Sequence, residues 1–255
     1  MKIANNLGAL IRWPFQRIKW RKILSKKWLK QNGLRWVRRF LVAWFGLTLI
    51  LRFVPVPFSA YMAQQKIGHL ASLDFSYDVQ YEWVPLEQIA WPMQLAVLTA
   101  EDQQFPNHWG FDFSAIKKAF QHNEHSRKVR GASTISQQTA KNLYLWHGQS
   151  WLRKGIEVPT TLMLELLWSK KRILEVYLNI AEFGDGIFGV QAASLHYFRK
   201  PASQLNQQEA ALLAAILPNP IAYKANRPGP IVKRRQRWII NQMNRLGKGY
   251  LDKLN

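Results

Sequence analysis

The sequence predicts a mainly α-helical protein with a single apolar anchor near its amino end. Three observations predict it. Apolar residues recur at helical spacing through most of the chain beyond residue 90, and helix start and stop residues punctuate those runs. No stretch of any length alternates apolar with polar residues as a half-buried strand would. With 48 % hydrophobic and 13 % aromatic residues, 255 residues can bury the core of one large domain or two small ones, so the chain is not disordered.

Charge and cysteine content narrow the function classes. A net charge of +21 asks for a polyanionic partner: nucleic acid, anionic lipid or a phosphorylated substrate. Residues 1–39 hold 12 Lys/Arg and no Asp/Glu, which leaves 24 bases against 15 acids for the rest. Most of the excess therefore precedes the anchor, and nucleic acid ranks last among the partners. The absence of cysteine excludes disulfides, thiolate metal sites and a cysteine nucleophile, and leaves the compartment open.

Residues 1–37 form a basic tail in which Trp13, Phe15, Trp20, Trp28 and Trp36 interleave with the bases. That pattern suits an anionic membrane surface or a solvated cytoplasmic tail. Phe40 to Leu51 is uncharged and apolar. It is too short alone for roughly 30 Å of hydrocarbon, which needs about 20 residues, but with arginines snorkelling at both ends residues 38–58 can cross. The basic flank and the lack of a cleavage site make it an uncleaved anchor with a cytoplasmic amino terminus. Residues 59–82 read as a polar, irregular linker, and residues 83–255 as the working domain. Trp91 to Ala100 is a helix opened by Pro92, with Glu101 at its carboxyl end, where the helix dipole disfavours an acid. Ser133 or Thr134 caps a helix running to about Leu143, on which Ser133, Gln137 and Lys141 share a face. Another helix is expected over Thr160 to Ile180, then a turn-rich loop at Gly184, Gly186 and Gly189. Asn206 and Glu209 make a capping box for a helix that Pro218 and Pro220 stop, and a basic helix follows from Pro230 to Leu246, ended by Gly247.

Several tempting motifs fail. Ser114-x-x-Lys117 matches a transpeptidase nucleophile motif but lacks any Lys-Thr-Gly partner. His122 and His125 lack the spacing and companions of a zinc site. Gly184-x-Gly186-x-x-Gly189 copies a dinucleotide fingerprint without the strand that should precede it, and reads as structural. Three other clusters hold the inventory of a glycosyl-transfer site, namely carboxylates flanking amides, hydroxyls and cations. Singly, each has a plainer reading: a solvated acidic pair at Glu101-Asp102, a polar helix face at Gln137 to Asn142, and an ion pair among Arg153, Lys154 and Glu157.

Together and in order they resemble a known family. Glu101-Asp102-x-x-Phe105-x-x-His108-x-Gly110-x-Asp112, then Gly131-x-Ser133-Thr134-Ile135-x-Gln137-Gln138-x-x-Lys141-Asn142-Leu143, then Arg153-Lys154-x-x-Glu157 look like the first three motifs of the family 51 peptidoglycan glycosyltransferases. The likeness continues through Lys171-Arg172-Ile173-Leu174-Glu175-x-Tyr177-Leu178-Asn179 and ends at Glu209-Ala210-Ala211-x-Leu213-Ala214 with Pro218. It covers about Trp83 to Pro228, and with no transpeptidase domain following, it is closest to the monofunctional members. The resemblance implies a mainly α fold with a lysozyme-like head lobe and a smaller membrane-facing jaw lobe, preceded by a single transmembrane helix. It implies polymerisation of lipid II into β-1,4 glycan strands, with inversion at the donor anomeric carbon and release of undecaprenyl diphosphate. Glu101 falls on the family's general base and Glu157 on its second glutamate, which assists diphosphate departure or organises cations around it. Ser133, Thr134, Gln137, Gln138, Lys141, Asn142, Arg153 and Lys154 fall on substrate-binding positions. No protein metal site or certain cofactor is implied, with room for a divalent cation, Mg or Mn, at the diphosphate. The implied partners are lipid II, the growing glycan strand and inner-membrane lipids, with cell-division or elongation proteins as candidates. The implied location is the bacterial inner membrane, single-pass, with the catalytic domain periplasmic.

Two departures stand out. Gln149 replaces an arginine common in relatives. Pro159 disfavours helical geometry at Val158, which places Glu157 at a helix start rather than within a helix. Two rival readings stand beside this one. A membrane-bound lytic transglycosylase or lysozyme-like hydrolase would act on finished glycan and has no need of Lys141, Arg153 and Lys154. A non-catalytic precursor-binding scaffold would need neither glutamate.

Overall fold

The computed structural model describes residues 26–125, 131–148 and 150–254. Gln149 and most of the basic tail lie outside the described residues. The chain forms two compact units, Met1–Leu47 and Thr48–Asn255.

In the first unit, helix α1 (Lys26–Ile50, whose last residues belong to the second unit) exposes Trp36, Phe40, Leu41 and Phe45. Arg39 sits 5.2 Å over the Trp36 ring. Among the described residues no helix is long and apolar enough to cross a membrane. The single helix expected to span 38–58 is not found among them, since α1 ends at Ile50. Arg35, Arg38 and Arg39 interrupt the amino half of α1, and after Ile50 the chain turns and extends through Pro55 and Pro57. Prolines lack the N–H that a continuing helix would use.

The second unit is helical with one small sheet. The stretch read as an irregular linker instead holds α2 (Ala60–Ala71), capped by Ser59, whose hydroxyl accepts from Met62 N at 3.2 Å. Met62 is fully buried, which ties α2 into the core. Helix α3 (Trp91–Glu101) ends at Glu101 as expected, and its residues Leu95 to Leu98 are almost wholly buried. After α4 (Phe113–His125), helix α5 (Ile135–Tyr144) starts at a capping box in which Thr134 rather than Ser133 is the cap.

The helix expected over Thr160–Ile180 is two helices. The first, α6 (Trp151–Leu167), starts earlier and runs straight through Pro159; the second, α7 (Lys170–Ile180), starts after a break capped by Ser169. Glu157 thus lies inside a helix, contrary to the expectation from Pro159. The residue four before the proline is Gly155, which puts no side chain at the site of the broken hydrogen bond. Just after it, the Thr160 and Thr161 hydroxyls donate to the carbonyls of Ile156 and Glu157, each at 2.7 Å.

The sheet is three very short strands, β1 (Gln80–Tyr81), β2 (Glu182–Gly184) and β3 (Ile187–Phe188), in the order β1-β3-β2, with β1 parallel and β2 antiparallel to β3. The glycine-rich loop is structural. Gly189 has φ +81°, and a Cβ there would lie 2.5 Å from Asn179 O, so no other residue fits. After α8 (Val190–Phe198), the alanine-rich α9 (Gln207–Ile216) is buried on every side from Ala210 onward. Its small side chains let it pack closely on both α3 and α10 (Pro230–Leu246), and α5 packs on α6, α7 and α2. Glu101, at the end of α3, is the point reached from both helix groups. At the start of this unit, three backbone carbonyls are gripped by α7 and by the residue that caps the end of α6. Trp168 Nε1 donates to Thr48 O at 2.8 Å, and the Arg172 guanidinium donates to Leu51 O at 2.7 Å and to Val54 O.

Candidate active site

Glu101 lines a cleft of about 1120 Å³, between the end of α3, the residues before α5, the start of α4 and the α10 face bearing Arg234, Arg235 and Trp238. The volume exceeds the usual range of a small-molecule pocket, about 300–1,000 Å³. Both carboxylate oxygens are engaged. Gln138 Nε2 donates to Oε2 at 2.9 Å, and Arg235 Nη2 donates to Oε1 at 3.0 Å. The Tyr177 hydroxyl, buried in α7, donates to Gln138 Oε1 at 3.2 Å, which fixes the amide so that its NH₂ faces Glu101. The Glu101 side chain keeps 14 % of its surface exposed, enough for a substrate hydroxyl to reach.

The neighbouring carboxylate has a different task. Asp102 is buried and accepts from His108 Nε2 at 3.0 Å and from the Ile135 N–H at 3.0 Å. An acid at the first N–H of α5 is favourable for the helix dipole, so Asp102 ties the end of α3 to the start of α5.

Glu157 is set among cations in a smaller pocket of about 190 Å³, lined by Ser133, Gln137, Gln138, Lys141, Arg153, Lys154 and Glu157 itself. Arg153 Nη1 is 2.6 Å from Oε2, Lys154 Nζ donates to Oε1, and Gln137 Nε2 lies at 3.5 Å. The Glu157 side chain is only 3 % exposed. Lys141 differs from its neighbours: among the described residues it has no carboxylate within salt-bridge distance. Burial pushes its ammonium below the usual lysine range, and Arg153 and Lys154 push the same way against the opposing carboxylates of Glu157 and Glu101. A partly desolvated cation with no carboxylate in direct contact is prepared for an anionic ligand.

Ser133 and Gln138 line both cavities, so the two glutamates stand on either side of one continuous set of residues. Of the ten residues named from the sequence, nine line one cavity or both. Asn142 lines neither and is buried, and the Thr134 hydroxyl is occupied in donating to Gly110 O at 2.6 Å and capping Gln137 N. Sequence reading missed Arg234, Arg235 and Trp238. Their spacing with Ile231 on a basic helix marks a shared face, but nothing local tells a cleft-facing arginine from a solvated one. Among the described residues no group of three His, Asp or Glu side chains is gathered to hold a metal. The cationic lining does not fit a protein-held divalent cation.

His147 flanks this cluster, stacked on Tyr61 with ring centroids 3.5 Å apart. Burial, together with the charges of Lys141 and Arg153, lowers its pKa from 6.5 to about 4. The folded protein keeps His147 neutral while the unfolded chain takes up a proton. Stability is therefore lost as pH falls from about 6.5 to about 4, by less than the full shift would give because water screens the half-exposed ring. Urea unfolding at pH 7 and pH 4.5 should show the His147→Gln variant losing less stability than the parent over that interval.

A mainly helical body with one reachable carboxylate beside a pocket of cations can take a proton at one point and hold an anionic group at the other. The chain belongs to the transglycosylase family, whose model, described as Transglycosylase, matches residues 67–244. Among its relatives, proteins each named biosynthetic peptidoglycan transglycosylase, that of Mannheimia succiniciproducens is 62 % identical over 244 residues, covering 96 % of this chain and 98 % of the relative. That of Haemophilus influenzae is 63 % identical, covering 91 % of this chain and 95 % of the relative. That of Pasteurella multocida is 65 % identical, covering 89 % and 92 %.

Proposed function

We propose that the cleft polymerises lipid II, with Glu101 as general base and the Lys141, Arg153 and Lys154 cluster as the seat of the donor diphosphate. As a member of its family the chain is a peptidoglycan glycosyltransferase. Glu101 takes the proton from the 4-hydroxyl of the acceptor sugar. That oxygen attacks the donor anomeric carbon from the face opposite the diphosphate, the C–O bond to the diphosphate breaks, and the anomeric centre inverts. Undecaprenyl diphosphate leaves with its charge neutralised by the cations, which a diphosphate needs more than it needs a proton. Glu157 is a positioning residue: held by Arg153 and Lys154, it sets where those cations stand. The observation that carries the reading is Lys141, which among the described residues has no carboxylate within ion-pair distance, beside that cluster in a pocket that shares Ser133 and Gln138 with the cleft of Glu101. A hydrolase of finished glycan would have no use for it.

The finer placement follows from the substrate. A lipid-linked donor requires the site to work at a bilayer, and residues 38–58, with exposed Phe40, Leu41, Phe45, Phe53 and Phe58, supply the apolar contact. We place residues 83–255 on the periplasmic side of the inner membrane, as a head and a jaw on either side of the cleft. Detergent-purified protein given labelled lipid II should yield a glycan ladder. Release of soluble fragments from finished peptidoglycan, with no ladder from lipid II, would overturn the reading in favour of a hydrolase.

A further inference from the structure

We infer that Arg235 is a positioning residue for the base, holding Glu101 as a fixed carboxylate at the end of α3; this rests on the reading of Glu101 as the proton acceptor. Glu101 stands where the helix dipole disfavours it, at a carboxyl terminus whose last carbonyls lack helical partners. Arg235 answers both problems from a position 134 residues away. Its Nη2 donates to Glu101 Oε1 at 3.0 Å and to Ala100 O at 3.2 Å, so one cation meets the acid and the helix terminus together.

The contact does more than join two helices, because α10 already packs on α3 and α9 through buried Val232, Ile239 and Met243. Arg235 Nε is buried without a partner, a cost that an ion pair serving packing alone has no reason to carry. Gln138 holds the other oxygen from the opposite side with a neutral amide. The two grips fix both oxygens, so the carboxylate presents one orientation to the cleft. The other charged or titratable groups around Glu101 include Arg234, Lys118 and Asp112 along the same cleft, Lys141 further along α5, Asp102 beside it and the Tyr177 phenol beneath Gln138.

The test measures kcat, KM and melting temperature for the full chain in detergent with labelled lipid II, comparing the parent with Arg235→Met and Arg235→Lys. Arg235→Met should lower kcat about 10- to 100-fold and leave KM within about threefold. Arg235→Lys keeps a cationic donor and should recover part of kcat. A parental kcat from Arg235→Met would overturn the inference. So would a loss of kcat that follows a lowered melting temperature and is not recovered by Arg235→Lys, since that is the mark of a structural contact. A parent that makes no ladder would sink the underlying reading, and this inference with it.

Discussion

Replacing Glu101 by glutamine is expected to lower the rate of glycan polymerisation by about 10²- to 10⁴-fold, the range that a general base contributes. Glutamine keeps the volume but cannot take a proton. It also disturbs the two grips: Gln138 and Arg235 both present donors to Glu101, and an amide can turn its single oxygen to only one of them. Lipid II should still bind, because the cationic pocket belongs to α5 and α6. Gel analysis of labelled lipid II over a long time course checks this. A ladder formed at more than a tenth of the parental rate would remove Glu101 from the mechanism.

Replacing Lys141 by methionine should lower kcat by about 10²- to 10³-fold, comparable to deleting one preorganised donor at a developing anion. The same substitution should leave the melting temperature unchanged or raise it. Lys141 is held partly desolvated and beside two other cations, an arrangement that burdens the fold and becomes favourable only when an anion arrives. Activity and stability therefore move in opposite directions, as expected of a binding charge and not of a structural one. Paired kcat and thermal-melt measurements decide it: a less stable variant with full activity would show Lys141 to be a structural cation.

The sequence shows most of the helical frame because its ends are chemically marked. Asn206 with Glu209, Pro230 and Gly247 bound α9 and α10 where local rules place them. It also shows the Glu157 cluster, since Arg153 and Lys154 are its neighbours one helical turn away. Helix α2 was hidden because its polar run through Gln64, Gln65 and Lys66 gives no apolar stripe, and its buried residue Met62 finds partners only in the folded chain. Helix α6 was hidden because Pro159 outweighs local propensity, and the glycine and threonines that accommodate it act together rather than by pattern. Arg235 was invisible for a different reason: its meaning lies in a contact across 134 residues, and its local surroundings are ordinary for a basic helix.

The grip of Trp168 and Arg172 on Thr48, Leu51 and Val54 takes hold of main-chain oxygens only. Any residue supplies such an oxygen, proline included. The attachment is thus indifferent to which side chains pass through it, and Phe53 and Val54, both exposed, are released from service to the fold. Selection can tune those residues to whatever medium they meet while the catalytic body keeps its fastening unchanged.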